Sequence, residues 1–227
     1  MSSTCFQSLR CVALRITKLT AGGAPQTGAN NGYVVNDIID LAMTMEYEAG
    51  TDVTKKNGNG DLCFVFQEPD KVKGLSLAAN FCELDAYLLE FLTNVTLFTS
   101  GSDAVGFKAP AVGTSPDPVC VEAWSIMWDG SAQATPDYLS NAAGYWHWVF
   151  PFNRWQQGDL SAEDDVMVVP ASAKCSENAN LTVNGPYDDW PTEVANGGGI
   201  ETLYGVFEDD AYPTATCDRI TVTSAAS

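Results

Sequence analysis

The sequence predicts a mainly β fold: an antiparallel β-sandwich or half-barrel with one flanking α-helix, a long hairpin loop and extended terminal arms. Three observations predict it. In residues 38–48, Ile39, Leu41, Met43, Met45 and Tyr47 fall on one face; Asp40, Thr44, Glu46 and Glu48 fall on the other, with Ile38 and Ala42. This is the period of a strand that packs with one face and meets water with the other. Further on, Trp146, Trp148, Phe150 and Phe152 alternate with Tyr145, His147 and Val149. Both faces of this second strand are apolar or amphipathic, so it is sandwiched on both sides and its four aromatics are core candidates. Only the stretch around 80–94 carries a helical stripe, made of Phe81, Leu84, Leu88, Phe91 and Leu92.

Taken in order, residues 5–19 read as a strand in which Cys11, Ala13, Arg15 and Thr17 alternate with Val12, Leu14, Ile16 and Lys18. Residues 21–32 are a flexible loop by composition. Residues 49–61 form a long polar loop with two Asn-Gly pairs, the tip of a long hairpin whose return strand is Leu62–Gln67. Glu68-Pro69-Asp70-Lys71 has β-turn chemistry, and a strand follows over 72–79. Asn80 is the expected helix N-cap, completed by Glu83 three residues on, and Asn94 is the expected stop. Residues 99–118, with Pro110, Pro116 and Pro118, read as loop; 119–128 is a strand and 129–142 another loop. Pro151 falls late in the aromatic strand, where a missing N–H is tolerated at an edge or bulge. After Gln-Gln-Gly-Asp come a strand at Asp164–Ala171, a polar loop, a short strand near Leu181–Val183 and an Asn-Gly-Pro turn. Residues 1–191 are expected to form one domain, with 1–10 as an N-terminal arm. Residues 192–227, with short strand patterns at Glu201–Phe207 and Arg219–Thr223, are expected to be an extended arm crossing to a neighbour, too poor in apolar residues for a core of their own.

Hydrophobic residues make up 45% of the 227 and charged residues 18%, so a sizeable core is available. The formal net charge is −18, and 17 of the 29 acidic side chains lie beyond residue 108. That balance argues against ordinary nucleic-acid binding, which rests on Lys and Arg neutralising phosphates. It fits a surface that lets DNA pass without sticking. The seven cysteines (5, 11, 63, 82, 120, 175 and 217) form no Cys-x-x-Cys, and several sit among apolar neighbours. They read as reduced, small hydrophobes, with folding in a reducing cytoplasm. Arg10 and Arg15 interrupt any signal-peptide core, and no stretch approaches a membrane span.

No catalytic residue, metal ligand or cofactor is expected. His147 is the one histidine and reads as a packed strand residue, with no Gly-x-Ser-x-Gly to accompany it. The acid clusters Glu163/Asp164/Asp165, Asp188/Asp189 and Glu208/Asp209/Asp210 read as solvated charge, because neighbours on a strand point to opposite faces. An acid pair for glycoside hydrolysis, using Asp164, Asp165, Asp188 or Asp189, is the weakest alternative. Asn57, Asn59 and Asp61 lack the glutamate spacing of a calcium loop and suit a hairpin tip better. The six tryptophans also permit a carbohydrate-binding sandwich.

The order of these pieces resembles the major tail (tail tube) proteins of bacteriophages with long, non-contractile tails. A two-faced strand, a long hairpin tip and its return strand lead into VKGLSLAANFCELDAYLLEFLTN (72–94). The aromatic strand closing in FPF (150–152) follows, and NGPYDDWP (184–191) ends the pattern. The resemblance covers about residues 36–191. It implies a structural subunit, forming homohexameric rings stacked into a tube, whose inner sheets join into a barrel lining a channel. Viral DNA would pass through this acidic-lined channel unbound, repelled by its negative wall. The resemblance implies as partners a tape measure protein and tail-terminator or baseplate proteins, and as location the virion tail after assembly in the host cytoplasm. Mapped onto this chain, Asp40, Thr44, Glu46 and Glu48 become the lumen candidates. Asp52, Lys55, Lys56, Asn57, Asn59 and Asp61 become the inter-ring hairpin. The stretch past 191 is too short for the immunoglobulin-like domain that many relatives append. Distal tail or baseplate ring proteins and the tubes of contractile injection systems share this fold and stay open as alternatives.

Overall fold

Period-two runs need a hydrogen-bonded neighbour on each side to become strands, and most of the predicted runs find one. The computed structural model describes residues 7–36, 38–101, 103–128, 144–160, 168–181, 202–213 and 217–222. The strands are β1 (Gln7–Lys18), β2 (Gly28–Val35), β3 (Ile38–Glu48), β4 (Asp52–Lys56), β5 (Leu62–Gln67) and β6 (Lys71–Phe81). After the helix α1 (Ala86–Thr93) come β7 (Thr96–Ser100), β8 (Asp103–Lys108), β9 (Val119–Trp128) and β10 (Gly144–Gln157). Then follow β11 (Val169–Ser176), β12 (Gly205–Asp209) and β13 (Asp218–Val222). One nine-stranded sheet runs β13–β2–β1–β9–β10–β11–β6–β3, with β12 also on β10; β4–β5 and β7–β8 are separate two-stranded ribbons. The fold is mainly β and antiparallel with, among the described residues, a single flanking helix, as the sequence predicts.

The sheet bends so that β3 comes back toward β1. Its concave face holds the main core. Leu14 and Ile16 of β1, Val121 of β9, Phe150 of β10 and Leu75 and Leu77 of β6 meet Leu88, Leu89, Phe91 and Leu92 of α1 there. The convex face carries smaller clusters, one around Trp124, Ile126 and Tyr145 and another around Cys120, Val149 and Leu181. β10 is therefore covered on both sides. Pro151 sits where its outer edge changes partner: β12 pairs with Tyr145–Val149 and β11 with Phe152–Gln157. The register with β9 also shifts between Phe150 and Asn153. A bulge there reverses the side-chain parity. Phe150 and Trp148 join the main core, but Phe152 packs against the Val149 cluster on the opposite face. Of the four predicted core aromatics, Phe150 is fully buried, while Trp146, Trp148 and Phe152 are only half-buried. Among the described tryptophans, Trp124 and Trp155 are the buried ones instead.

Several boundaries differ from expectation. Residues 28–32, the end of the stretch 21–32 read as loop, open β2, because Tyr33, Val34 and Val35 bury themselves between β1 and β13. Residues 99–118 contain most of the β7–β8 hairpin, turning at Gly101. The expected hairpin tip 49–61 contains β4, leaving only 57–61 as the turn. β11 lies later than the expected Asp164–Ala171, and residues 161–167 fall outside the described residues. Its small residues Ala171, Ala173 and Cys175 face the core and pair with Ala79, Leu77 and Leu75. Leu181 is buried; 182–183 lie outside the described residues. In the described parts of the C-terminal segment, β12 pairs with β10 and β13 with β2 of this chain's own sheet.

The helix starts five residues later than expected. β6 runs on to Phe81, and Asn80 pairs with Pro170 and donates to the Asp40 carboxylate. Asp85 is the N-cap; its Oδ1 accepts from Tyr87 N at 2.8 Å. Its other oxygen accepts from the buried Tyr33 hydroxyl, which ties the helix to β2. Burial and the Asp85 carboxylate push the Tyr33 phenol well above its ordinary pKa. Asn94 ends the helix as predicted, in the left-handed region at φ 59°. Asp85→Ala is expected to cost about 1–2 kcal/mol through the lost cap, read from a shifted urea midpoint with an unchanged slope.

Candidate functional site

β3 is the last strand of the sheet, and no described strand pairs with its outer edge. An eleven-residue edge without proline is a template for another chain. Its apolar face was expected to pack, but only Leu41 and Met45 reach the main core. Ile39, Met43 and Tyr47 are exposed, Tyr47 by 60%. Beneath them an open cleft of about 450 Å³ separates β3 from β1, β9 and β10, lined by Cys11, Leu41, Met43, Trp148 and Phe150.

From β3 the chain runs into the β4–β5 hairpin. Its root is fixed by Gly50, whose N–H donates to Asp70 Oδ1 at 2.9 Å. A Cβ at Gly50 would meet the Glu68 carbonyl at 1.8 Å, so only glycine fits there. The tip is built by Asn57, whose Oδ1 accepts from Asn59 N and Asp61 N at 3.0 and 2.8 Å. Asp52, Lys55 and Lys56 lie in β4, and Asn57, Asn59 and Asp61 form the turn. All six are exposed, as a projecting hairpin requires. The unexpected feature is the return strand. Leu62, Phe64, Val65 and Phe66 are 61, 52, 62 and 49% exposed. Phe64 and Phe66 lie opposite Lys55 and Val53, while Val65 points to the other face opposite Thr54. Both faces of the ribbon thus offer apolar side chains to solvent. An isolated two-stranded hairpin is marginal in water.

Asp40, Thr44, Glu46 and Glu48 share the polar face of β3, as predicted. The face is mixed in sign and not the uniformly acidic wall that was expected, because basic side chains of the neighbouring strands stand among its carboxylates. Ser76 donates to the Glu46 carboxylate, and Lys174 Nζ lies 3.8 Å from it. The Ser76 hydroxyl, then Lys174, hold the Glu46 carboxyl below the usual range. Glu48 lies opposite Lys71, and the row through Thr44 and Ser76 continues to Lys174 and Arg154. Ala42, Gly74, Ala78 and Ser172 fill the rest of this surface.

A second constellation lies on the convex face. Arg15 of β1 grips Glu122 of β9 through two hydrogen bonds, Nε to Oε2 at 2.8 Å and Nη2 to Oε1 at 2.7 Å. His147 of β10 places Nε2 3.1 Å from Glu122 Oε1 and Nδ1 3.2 Å from Asp209 Oδ2 of β12, the latter an ion-pair contact and not an aligned hydrogen bond. Trp124 stacks on the His147 ring at 4.1 Å and donates its indole N–H to Asp209 at 3.0 Å. Glu122 and His147 are fully buried. Burial alone would raise the Glu122 carboxyl, but Arg15 and then His147 outweigh it and hold it at about 2. Asp209 is held at about 2 by His147 and Trp124, against its own partial burial. For His147, burial acts downward, yet the contacts with Asp209 and Glu122 leave the imidazole raised above 6.5 against the opposing charge of Arg15. Sequence reading took His147 as a packed strand residue. Single charges of opposite sign inside the apolar strands at Arg15 and Glu122 were the available sign of this network.

The six described cysteines are free; burial pushes the Cys11 and Cys175 thiols up to about 11 and 12. Among the described residues no group of three or more His, Cys, Asp or Glu side chains could hold a metal ion. Asp164, Asp165, Asp188 and Asp189 lie outside the described residues. Among the described residues no helix is long and apolar enough to cross a membrane. No protein-family model matches the chain, and no curated protein matches it significantly.

Proposed function

We propose that the chain is a structural subunit that assembles with copies of itself into stacked six-fold rings, a tube of the phage-tail kind through which viral DNA passes. The observation that carries this reading is the two-sided apolar hairpin springing from an unpaired eleven-residue edge strand. The edge suits side-by-side pairing that closes a ring, and the hairpin suits a contact that stacks one ring on the next. Asp40, Thr44, Glu46 and Glu48 would then face the channel. With Lys174, Lys71 and Arg154 beside them, that wall is smooth and near neutral, while the −18 charge of the whole chain keeps phosphates from binding. A tape measure protein and tail-terminator or baseplate proteins are the proposed further partners, and the virion tail the proposed location.

Electron microscopy and sedimentation of the purified chain over a wide range of concentration test this reading. Rings or tubes are expected, favoured by salt, which screens the repulsion between acidic copies beyond about 8 Å. A lone monomer under every condition overturns it. A distal tail or baseplate ring protein would give rings that do not stack. A carbohydrate-binding sandwich needs a flat, solvent-facing indole. Of the five described tryptophans, Trp124 and Trp155 are buried and Trp128, Trp146 and Trp148 half-buried, Trp148 donating to Ser125 Oγ at 2.9 Å, so none presents a fully exposed ring.

A further inference from the structure

Both ring nitrogens of His147 face carboxylate oxygens, Glu122 on one side and Asp209 on the other, at 3.1 and 3.2 Å. A neutral imidazole has one N–H and one lone pair, so either tautomer would turn a lone pair on a carboxylate. Only the imidazolium offers hydrogen to both. With that proton the buried set balances, Arg15 and His147 against Glu122 and Asp209. Three of the four groups sit on the adjacent central strands β1, β9 and β10. The fourth is on β12, which joins the sheet only along Tyr145–Val149.

We propose that His147 is a proton-dependent clasp that holds β12, the docking strand of the C-terminal segment, on the edge of β10. This does not rest on the tube reading. The groups around the ring are Glu122 and Trp124 from β9, Arg15 from β1 behind Glu122, and Asp209 and Phe207 from β12. Cys120, near Glu122, stays a neutral thiol because burial raises it well above its ordinary value. Tyr145, packed on Tyr212 beside the cluster, is raised by burial and stays neutral through the same range. Loss of the proton leaves Asp209 with the Trp124 indole and at most one N–H from the ring, and turns a lone pair on Glu122. β12 then loosens, and the backbone edge of Tyr145–Val149 opens to a competing strand.

The sign follows from linkage. His147 is raised when β12 is docked, so docking binds the proton. The clasp is complete below the pKa that His147 has without Asp209, and is lost as pH rises through the docked value. Its acid limit is set by Asp209, held at about 2.

His147 is the sole histidine, so its NMR titration in the full chain needs no assignment. It is expected to titrate above 6.5 in the native chain and lower in Asp209→Asn. Amide exchange across Gly205–Asp209, corrected for its intrinsic pH dependence, is expected to rise about tenfold per pH unit between those two values, while β9 stays protected. In His147→Gln the exchange of β12 is expected to lose this dependence. A native His147 that titrates at or below 6.5 overturns the clasp. So does protection across 205–209 that stays flat through the titration, or a pH dependence that survives in His147→Gln. The native titration decides the matter even where a variant fails to fold.

Discussion

Arg15→Met is expected to cost about 3–5 kcal/mol of folding stability, because it strips a buried carboxylate of its partner. Glu122 is fully buried and takes two hydrogen bonds from the guanidinium. Without Arg15, two carboxylates share the single charge of His147, and the cluster is left with a net negative charge around the fully buried Glu122. That cost is a large part of the 5–15 kcal/mol that holds a typical domain together. Urea unfolding measures it. The double variant Arg15→Met with Glu122→Leu separates charge from shape. It removes the whole ion pair and fills the space with apolar atoms, so most of the loss is expected to return. The double variant also leaves His147 facing only Asp209, which lowers its titration. A single variant within about 1 kcal/mol of the parent would mean that Glu122 is not held as a charged, buried group.

The alternating runs were legible because each carried its own period. Ile38–Glu48, Leu62–Gln67 and Val119–Trp128 are strands with the expected bounds. Asn94 was legible because a left-handed stop is a local property of the chain. The N-cap was not. Asn80 and Glu83 satisfy the capping pattern, but β6 gains ladder bonds from both β3 and β11 by running on to Phe81, and the sheet wins. Residues 28–35 are rich in Gly and Asn and became a strand only because β1 and β13 flank them. The buried charge row was illegible for a similar reason. Arg15 and Glu122 stand 107 residues apart in sequence, and only the register of β1 on β9 places them opposite each other. The hairpin's position was legible from its Asn-Gly turn. Its exposed apolar strand was not, because Leu62–Gln67 reads like any core strand until its neighbours are known.

That strand carries the second large prediction. Phe64→Thr with Phe66→Thr is expected to weaken self-association by about 1.5–3 kcal/mol, since full burial of a phenylalanine contributes about 1.5–3 kcal/mol and each ring has about half its surface left to bury. In association constant this is a loss on the order of 10–10². Threonine keeps the β propensity of the hairpin and adds no charge to an already acidic chain, so the effect isolates lost apolar contact. The folding stability of the single subunit is expected to stay within about 0.5 kcal/mol, because both rings are already half in water there. Sedimentation read beside thermal unfolding separates the two quantities. A variant that assembles as well as its parent would remove the hairpin from the contact. A variant whose subunit unfolds early would mean that Phe64 and Phe66 serve their own fold and not a neighbour's. The first result would leave the unpaired edge of β3 to carry assembly alone. An edge alone joins copies side by side, and rings formed without the hairpin would be expected to remain single.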